Sequence, residues 1–300
     1  MNAVRRAAAA LLHTQQHSTL SFEAVGASSP HAKLVYILHG LLGEGRNWRS
    51  FAKLLSASNP ELRVLLVDLR GHGKSSALRL TGPHTLSAAV DDLQALAAST
   101  GPPAAVLGHS LGGKVALTWA PLLREGTVWA LDSSPGASTE DASAKGDSSA
   151  DPHGVGRVLS AVKSVGSEHA GRSDAAAALA AAGLSPSLVA WLTSGILSTP
   201  RGVRFGFDVD VASKLYDDYR RVDAWGALTH PPPGVDVRLV TAERSGAWAP
   251  GSAGRRALDA LPAGAARRVH LLRNAGHWLQ ADNPQGLADI VGPSLAGKRR

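Results

Sequence analysis

At 300 residues, 44% apolar and 18% charged, the chain has the makeup of a globular protein long enough for one large α/β domain. No run reaches the roughly eighteen apolar residues of a membrane helix, and the absence of cysteine excludes disulfide frameworks, thiolate metal sites and a cysteine nucleophile. The formal charge of +7 sits mostly at the ends, in Arg5, Arg6, Lys298, Arg299 and Arg300; the body is nearly neutral and shows no basic stripe, which argues against nucleic acid as a partner.

Residues 1–22 are Ala-rich with two arginines and no acid, so they read as an organelle transit peptide, for chloroplast or mitochondrion, or as a disordered extension of a cytoplasmic protein. A domain is expected over 23–295. It begins with the β-rich runs LVYILHG (34–40) and RVLLVDL (63–69), each stopped by glycine or a charged turn, and continues with AAVLG (104–108). Between them, 47–56 and 85–99 place apolar residues at helical spacing. Strands alternating with helices imply a mostly parallel, doubly wound sheet buried on both faces. VWALD (128–132), VRLVTA (237–242) and RRVHLL (267–272) supply further strands, and a helix over 284–291 closes the domain before a basic tail at 296–300. About a hundred residues separate two of these strands, far more than a crossover needs. Over 136–234 they open with a polar, low-complexity stretch (137–154), followed by helical patterns at 155–165, 175–182, 186–197 and 209–225. This insertion is expected to form a helical lid over the carboxyl edge of the sheet, where open α/β sheets place ligands.

The chemistry concentrates where a strand meets a helix, in AAVLGHSLGGKVALTWA (104–120). Gly108-His109-Ser110-Leu111-Gly112 places a serine on a sharp turn whose flanking glycines leave no side chain to clash. Serine at its own pKa is a poor nucleophile and needs a base, usually histidine, held by a carboxylate. Of the histidines after Ser110, His153 and His169 fall in the insertion, His230 precedes a proline run and His270 lies within a strand. His277, in RNAGHWLQADNP, follows the last strand and is the candidate base. An acyl-transfer intermediate also needs two backbone N–H groups aimed at its oxyanion; the candidates are Leu111, next after the serine, and Leu41, in the glycine-flanked loop His39-Gly40-Leu41-Leu42-Gly43. A substrate pocket lined by His39, Gly40, Leu42, His109, Trp191 and Trp278 is expected around them. Asp68 reads as a loop-tying carboxylate, and Lys114 as paired or snorkelling. No HExxH or other paired-ligand spacing suggests a metal, no phosphate-binding glycine loop suggests a nucleotide, and no cofactor is implied.

LVYILHGLLGEGRNW, VLLVDLRGHGKS, LGHSLGGKVAL, VWALDSSPG and LRNAGHWLQADNP, in that order, resemble the α/β-hydrolase family. More narrowly they are similar to the branch of small esterases that holds the bacterial YbfF-like enzymes, abhydrolase-domain-containing protein eleven and their plant relatives. The resemblance implies a serine hydrolase cleaving carboxylic or thio-esters of small to medium acyl groups through an acyl-enzyme, with a small-molecule ester as its partner. In most of the family the triad acid follows the strand read at 237–242, but Ser245 stands at that place here. In the branch just named the acid can follow the preceding strand, which makes Asp132 the first choice and Glu243 the alternative; a Ser–His dyad or an inactive enzyme remains the third reading. Two other functions fit the same motifs: a lyase or C–C hydrolase of this fold, and a ligand-binding receptor or scaffold with an idle pocket.

Overall fold

The computed structural model describes residues 19–78, 80, 82–138 and 154–296. In chain order its strands are β1 (Phe22–Gly26), β2 (Lys33–Leu38), β3 (Leu62–Val67), β4 (Ala105–His109), β5 (Gly126–Leu131), β6 (Glu168–His169), β7 (Leu197–Thr199), β8 (Gly202–Arg204), β9 (Val235–Ala242) and β10 (Val269–Leu272). Seven of them form one sheet in the order β1-β3-β2-β4-β5-β9-β10, parallel throughout except for β1, which runs antiparallel to β3.

The continuous apolar runs follow from burial on both faces. Side chains alternate along a strand, so Tyr36, Leu38, Leu65, Val67, Val106, Val128 and Ala130 enter one core, while Val35, Ile37, Val64, Leu66, Leu107, Trp129 and Leu131 enter the other. Four helices cover the two faces: α1 (Arg49–Ser58), α2 (Leu86–Thr100), α3 (Leu111–Trp119) and, at the end of the chain, the helix Pro284–Leu295. Through Val90, Leu93 and Leu96, α2 packs with α3 on the first face. On the second, Phe51 and Leu55 of α1 meet Leu287 and Val291. Local signals set the helix ends. The Thr85 hydroxyl accepts the Ala88 N–H at 3.2 Å, and Asn283 caps the last helix by accepting from Gly286 at 2.9 Å, with Pro284 in its first turn.

Between β5 and β9 stands the insertion, with α4 (Val155–Val165), α5 (Arg172–Ala181), α6 (Pro186–Ser194) and α7 (Val209–Arg221). It has a core of its own, in which Val158, Val162, Leu179, Leu192, Phe205 and Phe207 are buried together with Leu42 from the body of the fold. Its strands β6, β8 and β7 make a small sheet that the sequence pattern does not show, because two or three residues are too few for a period of two to register. The helix expected over 186–197 ends at Ser194, with Gly195 as its cap, and that expected over 209–225 ends at Arg221, where Val222 turns extended. Short helices follow: α8 (Trp225–Thr229), α9 (Ala253–Asp259), α10 (Ala263–Ala266) and α11 (Leu279–Asp282), before α12 (Pro284–Leu295).

One domain boundary differs from the sequence reading. Leu20 is already buried and Phe22 opens β1, so the folded part begins before residue 23; β1 alternates exposed with half-buried residues on an outer edge, a weaker signal than a run buried on both sides. The transit-peptide reading of 1–18, most of the low-complexity stretch (139–153) and the tail from 297 lie outside the described residues. No helix among the described residues is long and apolar enough to cross a membrane.

Candidate active site

The residues that follow β2, β4 and β10 line one cavity together with the insertion. Ser110 follows β4 directly and sits at φ 52°, ψ −116°, a strained conformation that turns its side chain off the strand before α3 begins. A Cβ on Gly108 would lie 2.1 Å from the Gly112 carbonyl oxygen, and one on Gly112 would lie 2.5 Å from that of Leu38; the turn closes only with glycine at both. Backbone ties hold it, with the Ser110 N–H donating to the Leu131 oxygen at 3.0 Å and the Ser133 hydroxyl donating to the Ser110 oxygen at 2.6 Å.

His277 follows β10, in the loop that leads to α11. Its Nδ1 lies 2.6 Å from Asp132 Oδ2, across 145 residues of sequence. The aspartate side chain is fully buried, whereas the imidazole is 23% exposed. Asp132 takes the residue after β5 at φ 44°, and its other oxygen, Oδ1, accepts the Ala242 N–H at 3.0 Å and the Trp248 indole N–H at 2.6 Å. A carboxylate so held fixes the proton on His277 Nδ1 and leaves Nε2 as the ring's acceptor. His109 Nε2 lies 2.7 Å from the His277 carbonyl and anchors that residue's backbone. Glu243, the alternative acid, is exposed and accepts the Asn274 N–H at 2.8 Å; it is not brought to His277. Ser245, at the usual acid position, is buried with a hydroxyl that finds no hydrogen-bond partner.

The loop after β2 carries the other backbone donors. Gly43 N–H goes to the Gly40 oxygen, and Leu42 N–H donates to His72 Nε2 at 3.1 Å, so the Leu41 amide is the one that neither bond engages. Leu111 is the first residue of α3, which leaves its N–H without an acceptor inside the helix. Two buried histidines brace this loop. His39 Nε2 accepts the Leu69 N–H at 3.0 Å while its Nδ1 donates to Gly40; His72 Nδ1 donates to Arg70. Both rings serve as neutral acceptors, and burial pulls His39 down to about 4 and His72 to about 3. Asp68 ties the adjacent turns as its position suggested, accepting from Gly45 and Lys74 N–H, each at 2.8 Å.

All six residues expected to line a pocket do so: His39, Gly40, Leu42, His109, Trp191 and Trp278 surround a cavity of about 370 Å³ that also takes in Ser110, His277 and Leu41. Sequence reasoning missed the rest of the wall, above all Val155, Val158 and Leu188 from the insertion. Their helical pattern marked them as core, and nothing local separates a wall from a core position. Trp191 of α6 meets Trp278 of the body, ring centroids 5.9 Å apart. No lysine or arginine stands among the described lining residues.

Lys114, one turn beyond the serine, is completely buried. Its Nζ donates to the carbonyls of Gly136 (2.8 Å), Tyr219 (2.7 Å) and Val222 (3.2 Å) and sits 3.9 Å from the Tyr219 ring centre. It therefore fastens α3 to both ends of the insertion, and burial pushes its ammonium down to about 7. The other histidines are elsewhere: His270 packs on Trp129, His169 on Phe205, and His153 lies outside the described residues. Among the described residues no group of three or more His, Asp or Glu is placed to hold a metal.

Comparison with known proteins gives a consistent picture. A family model described as "Alpha/beta hydrolase family" matches residues 35–290. The sn-1-specific diacylglycerol lipase ABHD11 of Mus musculus is 26% identical over 275 residues, covering 87% of this chain and 80% of the mouse protein. An abhydrolase domain-containing protein of Schizosaccharomyces pombe, C22H12.03, is 37% identical over 102 residues, 34% of this chain and only 36% of the yeast one. Among solved structures, a marine microorganism esterase aligns with a TM-score of 0.70 at 21% identity, over 92% of this chain and 99% of its own.

Proposed function

We propose that this chain, which belongs to the α/β-hydrolase family, is an ester hydrolase in which Ser110, His277 and Asp132 act as a catalytic triad on uncharged esters of small to medium acyl groups. The observation that carries this reading is the 2.6 Å contact between His277 Nδ1 and the buried Asp132, with Ser110 in the same cavity. The Ser110 hydroxyl attacks the acyl carbon and passes its proton to His277 Nε2, while Asp132 stabilises the imidazolium. The oxyanion that forms is received by the Leu41 and Leu111 amides. His277 returns the proton to the departing alkoxide, and a water, deprotonated by the same imidazole, then releases the acid from Ser110.

Cavity and charge support the substrate class. About 370 Å³ lies near the small end of ligand pockets, and the walls contributed by Leu41, Leu42, Val158, Leu188, Trp191 and Trp278 favour an apolar acyl chain. With no cation among the described lining residues and the Asp282 carboxylate at the wall, a substrate bearing its own carboxylate finds no partner. The insertion acts as a lid whose α4 and α6 close the pocket. The test is hydrolysis of p-nitrophenyl acetate, butyrate, octanoate and palmitate by the wild type. Turnover is expected to peak at butyrate or octanoate; failure to cleave any member, or equal rates from acetate to palmitate, would contradict the reading.

A further inference from the structure

Asp132 raises a question that the triad alone does not answer. Its carboxylate is buried, follows the end of its strand in a left-handed conformation, and must present Oδ2 to His277 without rotating. Oδ1 is held from two directions, by the Ala242 N–H at the end of β9 and by the Trp248 indole, whose 2.6 Å contact is the shorter. Trp248 ends a single turn of 3₁₀ helix, Gly246–Trp248, in the stretch after β9. That stretch supplies no carboxylate to His277, and it supplies an indole N–H to the carboxylate that does reach it. The ring is only 7% exposed and packs among the apolar residues of the first sheet face, so its direction is fixed by the core.

Resting on the triad reading above, we infer that Trp248 is a positioning residue: its indole N–H locks the Asp132 carboxylate through Oδ1 so that Oδ2 stays aligned on His277 Nδ1. A hydrogen bond to a buried carboxylate is among the stronger kinds. Its loss removes the shorter of the two ties on Oδ1 and so weakens the contact that orients the base. The effect falls on the rate of the chemical step and not on substrate affinity, because Trp248 is not among the residues that line the cavity.

Two replacements at position 248 test this: Trp248→Phe, and a site-specific exchange of the indole for the isosteric benzothiophene, which keeps the ring's shape and puts sulfur in place of the N–H. Leu258→Ala is the control, since Leu258 packs against the same core and thinning it disturbs stability without touching the carboxylate. Both replacements at 248 should lower kcat for p-nitrophenyl butyrate about ten- to hundredfold at nearly constant KM, and both should broaden or remove the far-downfield proton resonance of the hydrogen-bonded His277 Nδ1. Leu258→Ala should lower the melting temperature while keeping kcat within about twofold. A benzothiophene variant with wild-type kcat and an unchanged resonance would overturn the inference. So would a loss in that variant no greater than in Leu258→Ala. The resonance needs no substrate: a wild type that cleaves no ester yet loses the signal on exchange at 248 would sink the hydrolase reading and leave the role of Trp248 intact.

Discussion

The sheet edge and the insertion contribute to the same cavity under different physical rules. At the edge, several residues have a forced backbone: Leu42, Ser110 and Asp132 all have positive φ without being glycine, and a fourth such residue, Asn274, lies in the loop before His277. Strain of this kind persists only where the surroundings over-determine it, and here they do, through buried bonds from Ser133, Ala242, Trp248 and His72. The insertion has regular helices with a separate core and shapes the cavity with apolar side chains. Chemistry is thus fixed by the rigid sheet, and fit by the layer above it. The two meet, among other places, where Lys114 donates to three carbonyls, the Leu86 N–H to Asp218, the Asp208 N–H to the Gly71 oxygen and Arg46 to the Ser194 oxygen, where Trp191 packs on Trp278, and at Leu42, whose side chain is buried in the insertion while its N–H is bound to His72.

That division can be broken at the edge first, where the largest effect is expected. Asp132→Asn should cost kcat about four orders of magnitude, because the amide reverses the polarity that His277 Nδ1 requires, while Glu243→Gln should stay within about twofold. Steady-state kinetics on one ester decides, and the opposite ranking would move the acid to Glu243.

The next effect lies at the joint. Lys114→Met takes the ammonium donor from three half-buried carbonyls and should lower unfolding free energy by about 2–4 kcal/mol, read by urea denaturation. A change below about 0.5 kcal/mol would show that the insertion holds its place without this tie. Acid sensitivity sharpens the account of the loop beneath. His39 and His72 titrate near 4 and 3 when folded, against the ordinary 6.5. Between these values the unfolded chain binds more protons than the folded one, so their contribution is complete above pH 6.5 and is lost as pH falls toward 4, at about 1.4 kcal/mol per pH unit for each ring. His72→Gln keeps an acceptor for Leu42 but does not titrate; it should make the decline in stability between pH 6 and 4.5 shallower, and an unchanged slope would refute the assignment. The smallest effect belongs to the insertion itself. Trp191→Ala should raise KM for the octanoate ester about tenfold or less and leave kcat for acetate unaltered; equal losses on both would place Trp191 in the chemistry.

How far the sequence reached follows the same division. Strands buried on both faces write themselves as unbroken apolar runs, and β2 through β5, β9 and β10 appear where those runs are. Ser110 and His277 stand out as candidates because each lies in a short motif tied to a strand end. The acid was not decided by sequence, since whether residue 132 or 243 faces the imidazole depends on the pairing of β5 with β9 and β9 with β10, contacts between segments about a hundred and about thirty residues apart that no local pattern encodes. Trp248 lies in the core, and its N–H gains meaning only once Asp132 is known to end beside it. In the insertion, helices declared themselves by spacing, but which faces line a cavity did not.

The account rests on Ser110 being an activated nucleophile, and the most direct measurement is labelling of the folded wild type and of Ser110→Ala with a fluorophosphonate probe, followed by mass spectrometric mapping of the modified peptide. The account predicts one adduct, at Ser110, and none in the variant. A folded wild type that takes no label, or a variant labelled as fast as the wild type, would contradict it.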